Sequence, residues 1–292
     1  MKPNGANISL TSYDDIFSTE ENRNQPPGEQ IKQVQLSELF PFKDHPFSVT
    51  DDKKMMDMVE SVKEFGVMIP IIARPLDGGG YELVSGHRRK RACELAGLET
   101  MPVLIKNYTD DEAVVAMVDT NIQREDILPS EKAHAYRMKY DAMKHQGSEG
   151  GNTLESIGEA AGESGKTVQR YICLSRLSES LLSLVDDKRL PIRAGVELSY
   201  LKEKEQGWVE EIIRETGVIV SPAQGEKIRG FSQSKELTRA MVQLILADEK
   251  PKPRKVVLKG EKLSDYFPDD VSADEIEETI IRLLDDWIKN RH

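Results

Sequence analysis

The chain has 292 residues, a net charge of −11, 31% charged residues, 38% hydrophobic residues and 6% aromatics, the profile of a soluble, helix-rich protein of two or three domains. No apolar run reaches the ~18 residues of a membrane span, the opening Met1–Asp15 lacks the apolar core of a signal peptide, and two distant cysteines, Cys93 and Cys173, support neither a disulfide framework nor a metal site. A reducing cytoplasm is the expected setting, and the acidic total leaves nucleic acid open as a partner, because DNA contact needs only one basic face.

Residues 1–33 are polar and aperiodic and are expected to form a disordered tail. Val34, Leu36, Leu39 and Phe40 suggest a first strand and a turn. Lys53–Phe65 predicts a helix with Met55, Met56, Val59, Val62 and Phe65 on one side, stopped by Gly66. Met68–Pro75 and Tyr81–Val84 read as paired strands around the Asp77–Gly80 turn. Gly86–Leu95 reads as a short helix stopped by Gly97, and Met101–Ile105 as another strand. Residues 34–108 are therefore expected to form a small α+β domain.

Thr109-Asp-Asp-Glu112 predicts a capping box that opens a helix over Ala113–Thr120. Pro129–His145 predicts a long helix, and Gly147–Asn152 a flexible break. Thr153–Ala161, the Gly162-Glu-Ser164 turn and Gly165–Leu177 predict a helix pair, with more helices to about residue 248, so 109–248 is expected to be an all-α domain. Pro251-Lys-Pro253 marks another break, and Lys255–Leu258 suggests a strand. Ser272-Ala-Asp-Glu275 caps a last helix with Ile276, Ile280, Leu283, Leu284 and Trp287 on one face, so 249–292 is expected to be a short helical segment that supports a homodimer.

Leu83-Val-Ser-Gly-His-Arg-Arg-Lys-Arg-Ala92 is the most informative stretch. A strand ends, a Ser85-Gly86 turn follows, and a helix starts with N–H groups that favour an anion. Gly86 permits close approach to the backbone. Arg88, Arg89, Lys90 and Arg91 put four cations in one turn, which costs stability unless a polyanion or solvent offsets it. The pattern points to phosphate without telling a nucleotide from a DNA backbone, and a solvated basic helix face is the plain alternative.

The second informative stretch is the helix pair at 153–177, which has helix-turn-helix spacing. Leu154, Ile157, Ala161, Val168, Ile172 and Leu177 are expected to face the core. Lys166, Thr167, Gln169 and Arg170 then project outward at the start of the second helix, with Arg176 further along. From Ser164 to Leu177 there are cations at 166, 170 and 176 and no acid, a local reversal of sign that favours double-stranded DNA. An ordinary helical hairpin with a polar face is the competing reading.

These residues together resemble the ParB, Spo-zero-J and Noc group of chromosome and plasmid partition proteins over about residues 34–200. Gly66-Val-Met-Ile-Pro70 is similar to the group's first nucleotide motif. Gly86-His-Arg-Arg-Lys-Arg-Ala92 is similar to its Gly-Glu-Arg-Arg-x-Arg-Ala motif. Thr120-Asn-Ile-Gln-Arg124 is similar to its Glu-Asn-Leu-Gln-Arg motif. Pro191–Gly195 sits where the group has a segment supporting its DNA-binding helices. The resemblance implies a ParB/sulfiredoxin-like N-terminal domain that binds CTP with Mg²⁺, and a helix-turn-helix domain that binds a centromere-like site. It also implies a nucleoid-associated dimeric clamp and a ParA-type ATPase partner.

By the same resemblance, Gly66, Pro70, Ser85, Gly86, His87, Arg88, Arg89, Arg91, Gln123 and Arg124 belong to the nucleotide or phosphate site, and Asn121 lies near the metal. Three positions depart from the motifs: Ile69 stands for Gln, His87 for Glu and Thr120 for Glu. Losing two carboxylates leaves Asn121 as the remaining Mg²⁺ ligand candidate and sets metal-assisted CTP hydrolysis against the sequence. His87 could instead meet a phosphate as a cation or donor, or be merely structural. The version resembles those carried by mobile elements. A nucleotide-independent DNA-binding regulator is the alternative. A sulfiredoxin-like or kinase-like enzyme is disfavoured, because the turn holds His87 where sulfiredoxin needs a cysteine.

Overall fold

The computed structural model describes residues 30–124, 126–147 and 150–247 in one compact unit, and 263, 266–268 and 271–289 in a second. The strand expected at Lys255–Leu258 lies outside the described residues. The first unit opens with β1 (Gln30–Gln35), a 3₁₀ turn at Leu36–Glu38 and β2 (Leu39–Phe40). It continues through α1 (Lys53–Phe65), β3 (Ile71–Pro75), β4 (Tyr81–Ser85), α2 (His87–Ala96) and β5 (Thr100–Ile105). The strands form one mixed sheet in the order β1-β5-β3-β4-β2.

β1 begins inside the stretch expected to be tail. Gln30 pairs with Ile105 and Gln35 with Thr100, antiparallel at the sheet edge. Val34 is buried while Ile31, Lys32, Gln33 and Gln35 are exposed, Ile31 by 60%, which is why a polar segment can be a strand here. β3 is shorter than expected, because Met68 and Ile69 are exposed in the connection after α1. Asp52 caps α1 by accepting Met55 N–H, and Gly66 ends it at a φ of 69°.

Helices cover both faces of the sheet. Leu83 packs with Met55, Val59, Ala92 and Cys93 on one side. Its neighbour Val84 packs on the other with Phe42, Phe47, Met117 and Tyr136. This second cluster draws on α3 (Asp110–Asn121), α4 (Pro129–His145), α5 (Gly150–Ala161) and α6 (Gly165–Leu174). The sheet layer and the first four of these later helices therefore share a core across residue 108. A separate helical core joins Leu174 and Leu177 to α7 (Glu179–Asp186), α8 (Ile192–Leu198), α9 (Glu203–Thr216), α10 (Pro222–Gln233) and α11 (Arg239–Ala247).

α1 and α4 have the expected bounds, and the Thr109–Glu112 capping box opens α3. α5 starts earlier than expected, and α6 stops at Leu174, where Ser175 Oγ donates to the Ile172 carbonyl. The second unit contains α12 (Ala273–Lys289), opened by the Ser272–Glu275 capping box.

Candidate functional site

The strand–turn–helix at β4–α2 forms one wall of a cleft of about 130 Å³. Ser85, Gly86, His87, Arg88 and Arg89 line it from this side. Thr120, Asn121 and Arg124 line it from the end of α3, and His45, Val49 and Met58 close it. Seven of the residues expected at a phosphate site thus meet in one place: Ser85, Gly86, His87, Arg88, Arg89, Asn121 and Arg124. Gly66, Pro70, Arg91 and Gln123 stand outside the lining. Gly66 ends α1, the Pro70 carbonyl accepts Arg89 Nη1 at 2.9 Å, and Gln123 Nε2 donates to the Ala160 carbonyl at 2.9 Å.

Gly86 adopts a φ of 100°, and a Cβ there would come within 2.9 Å of Ile71 Cβ and closer still to Cγ2. The glycine is thus required by β3 behind it as well as by access in front.

The four cations of the turn do not wait unpaired for an anion. Arg88 pairs with Asp52 at 2.9 Å, Lys90 with Glu94 at 2.6 Å and Arg91 with Asp51 at 2.6 Å. Arg89 donates to the Ile69 and Pro70 carbonyls, and its burial lowers its pKa. The like-charge cost is offset within the chain by Asp51 and Asp52, which precede α1, and by Glu94 of α2 itself. Arg124 makes no ion pair among the described residues and is the free cation of the cleft.

His87 is neutral. The Phe42 N–H donates to its Nε2 at 3.4 Å, and burial first, then the charges of His45 and Lys90, pushes its pKa down to about 3. It is therefore not a cation in the ligand-free chain. His45 donates from Nδ1 to the Phe47 carbonyl at 2.7 Å, and its Nε2 is buried with no hydrogen-bond partner among the described residues. Sequence reasoning missed His45, Val49 and Met58, because no local pattern marks them.

Mg²⁺ does not fit this lining as a protein-held ion. No carboxylate lines the cleft, and no group of three His, Cys, Asp or Glu is placed to hold a metal among the described residues. Asn121 donates from Nδ2 to the Met117 carbonyl at 2.8 Å, which leaves Oδ1 for a ligand, while Thr120 Oγ1 donates back into its own helix. Cys93 is fully buried in the sheet core, with its pKa raised chiefly by burial, so no reactive thiol serves the turn.

The second set of expected residues lies on α6, with Arg176 just past its end. Ser164 caps this helix, Gly165 N–H donates to Glu155 of α5 at 3.2 Å, and Glu163 accepts Tyr136 Oη–H at 2.9 Å. Gly158 has no Cβ to strike the Glu163 carbonyl, so the turn folds tightly back on α5. Ile157, Val168 and Ile172 are buried beneath, and Leu154 and Ala161 are partly buried. Lys166, Gln169, Arg170 and Arg176 are exposed, and the three cations make no ion pair among the described residues. Thr167 is half-buried, its hydroxyl 3.0 Å from Ser164 Oγ. Arg170 also borders a groove with Arg193 of α8 and Pro222 of α10.

Residues 20–122 match the family model of the ParB N-terminal domain. The probable chromosome 1-partitioning protein ParB of Deinococcus radiodurans is 30% identical over 200 residues, 68% of this chain and 66% of that protein. This is a ParB-like chain. The ParB-like chain is also 37% identical over 167 residues to a probable chromosome-partitioning protein ParB of Xylella fastidiosa, covering 57% of this chain and 51% of that one. A nucleoid occlusion protein of Halalkalibacterium halodurans is 28% identical over 189 residues, covering 64% of each. The ParB-like chain thus spans between half and two thirds of the length of these relatives. Among solved structures, C-terminally truncated ParB from Caulobacter crescentus complexed to the centromeric parS site aligns with a TM-score of 0.43 at 21% identity, covering 70% of this chain and 99% of that one. The same protein complexed with CTP-γ-S gives 0.31 at 25% identity, covering 58% and 92%.

Proposed function

We propose that this ParB-like chain binds a specific double-stranded DNA site through α6 and takes the phosphates of a nucleotide, CTP first, in the β4–α2 cleft. The observation that carries the reading is the contrast between the two cationic surfaces. On α6, Lys166 and Arg170, with Arg176 just past its end, are exposed and make no ion pair among the described residues, as a DNA-facing surface requires. At the cleft, Arg88 is held by Asp52, while Arg124 makes no ion pair among the described residues and lines the cleft with the α2 N-terminus. Relatives named for chromosome partition and nucleoid occlusion support a role in partition on the nucleoid. A structure of a related ParB with CTP-γ-S makes CTP the first nucleotide to test. Self-association through the exposed apolar residues of α12 completes a dimeric reader of a palindromic site. A ParA-type ATPase is the partner class that partition implies.

Neither Mg²⁺ nor hydrolysis enters this proposal, because the cleft supplies no carboxylate. A site-selection DNA-binding assay, repeated with and without each nucleoside triphosphate, tests it. One enriched sequence whose retention changes with a nucleotide is the expected result. No enrichment removes the DNA half, and enrichment indifferent to every nucleotide favours a nucleotide-independent regulator.

A further inference from the structure

Two neighbouring arginines of α2 hold the start of α1 and the connection that follows it. Arg88 Nη2 donates to Asp52 Oδ1 at 2.9 Å, and the same oxygen accepts Met55 N–H at 2.8 Å to cap the helix. Arg89 Nη1 donates to the carbonyls of Ile69 at 2.5 Å and Pro70 at 2.9 Å, in the segment that follows Gly66. Arg91 with Asp51, and Lys54 with Asp126, add two ties at the N-terminal end. Arg88 and Arg89 line the cleft, whereas Arg91 does not.

An anion entering the cleft therefore meets an arginine that already holds a carboxylate. A phosphate drawn to Arg88 would bring like charge up against Asp52, and the two would weaken each other's hold on the guanidinium. The coupling is reciprocal: if the anion loosens the Asp52 tie, Asp52 lowers the anion's affinity by the same factor. The pair is partly exposed, so it is weak enough for a polyphosphate of several charges to displace.

We infer that Asp52 is an internal competitor of the cleft's phosphorylated ligand, so that ligand binding loosens the tie between α1 and α2. This rests on the reading of the cleft as a phosphate site.

The test uses the full chain and inorganic triphosphate at low salt, read by calorimetry and by hydrogen exchange. Asp52→Asn keeps the helix cap, since asparagine caps as well as aspartate, but removes the charge. It should bind triphosphate about three- to fivefold more tightly, the span set by a weak exposed ion pair. Asp51→Asn should stay within about twofold of the parent, because Arg91 stands outside the cleft. In the parent, residues 49–56 should exchange faster with triphosphate bound. Equal or weaker binding by Asp52→Asn overturns the inference, as does slower exchange on binding. If neither the parent nor either variant binds triphosphate, the phosphate reading falls and the inference with it.

Discussion

The imidazole of His87 lies 3.8 Å, centroid to centroid, from that of His45, with the two planes 35° apart. Both pKa values are lowered, chiefly by burial, and that of His87 falls to about 3. Each ring has one polar bond to nearby backbone, at Phe42 N–H and at the Phe47 carbonyl. Two stacked imidazoles can share this space only while neutral, so the first turn of α2 depends on their staying uncharged.

That dependence has a definite sign. The unfolded chain binds a proton at His87 near pH 6.5 and the folded chain does not, so the unfolded state gains protons first as pH falls. Stability should drop between about pH 6.5 and 3, at up to roughly 1.4 kcal/mol per pH unit for His87. The depressed carboxyls of Asp51 and Asp52 add losses in the same direction only lower, below their ordinary range near pH 4. Thermal melts from pH 7 to 4.5 should show a falling midpoint for the parent and a flatter profile for His87→Gln. Parallel profiles would mean that His87 is not the titrating group.

Gly86→Ala should damage folding before it damages binding. The residue sits at a φ of 100° with Ile71 directly behind it. Forcing an alanine into that conformation and that space should cost about 2 kcal/mol or more. Urea unfolding would show the loss in the absence of any ligand. An unchanged midpoint would show that the turn can move and that the glycine serves ligand access alone.

Arg124 and Arg91 separate the cleft from its surroundings. Arg124→Ala removes the cleft cation that has no ion pair among the described residues and should weaken triphosphate binding about tenfold or more, as expected for a charge-assisted hydrogen bond of about 1.5–3 kcal/mol. Arg91→Ala should leave affinity within about twofold, because its guanidinium is taken by Asp51 and Glu94 outside the lining. Isothermal titration of the two variants decides this, and the reverse ranking would place the anion on the outer face of α2.

The sequence made α1 and α4 legible because local chemistry marks them: an apolar face and the Gly66 stop for one, Pro129 for the other. The glycine turn and the α5–α6 pair were legible for the same reason. β1 was not, because its polar residues become a strand only against β5, some seventy residues later. The pairing of the arginine turn was equally hidden, since Asp51 and Asp52 lie 40 and 36 residues before their partners Arg91 and Arg88. Gln123 resembled a phosphate ligand by motif, but the Ala160 carbonyl claims it across the fold. In each case the deciding partner was distant in sequence, beyond the reach of any periodicity or capping argument.

The second unit should make the chain a dimer. On α12, Ile281, Leu283, Leu284 and Trp287 are 51–60% exposed, an apolar surface large for one helix. Leu283→Lys should shift the sedimentation of the full chain from dimer toward monomer without changing its melting profile near pH 7. A parent that sediments as a monomer would mean that this face has another use.

On α6, Arg170 and Lys166 should behave differently although both are exposed cations. Arg170 borders the groove with Arg193 and Pro222, where a guanidinium can reach a base edge. Arg170→Ala should cost about 1–3 kcal/mol on the selected site and relax its sequence preference. Lys166 follows the Ser164 cap at the very start of the helix, where an exposed ammonium suits a DNA phosphate. Lys166→Ala should weaken binding to all sequences alike and lower the slope of log affinity against log salt by about 0.9. Fluorescence anisotropy on the selected and a scrambled duplex, across a salt series, measures both. If neither substitution changes either affinity, α6 is not the helix that reads DNA, and the exposed cations of the α7–α8 corner, Lys188, Arg189 and Arg193, become the surface to test.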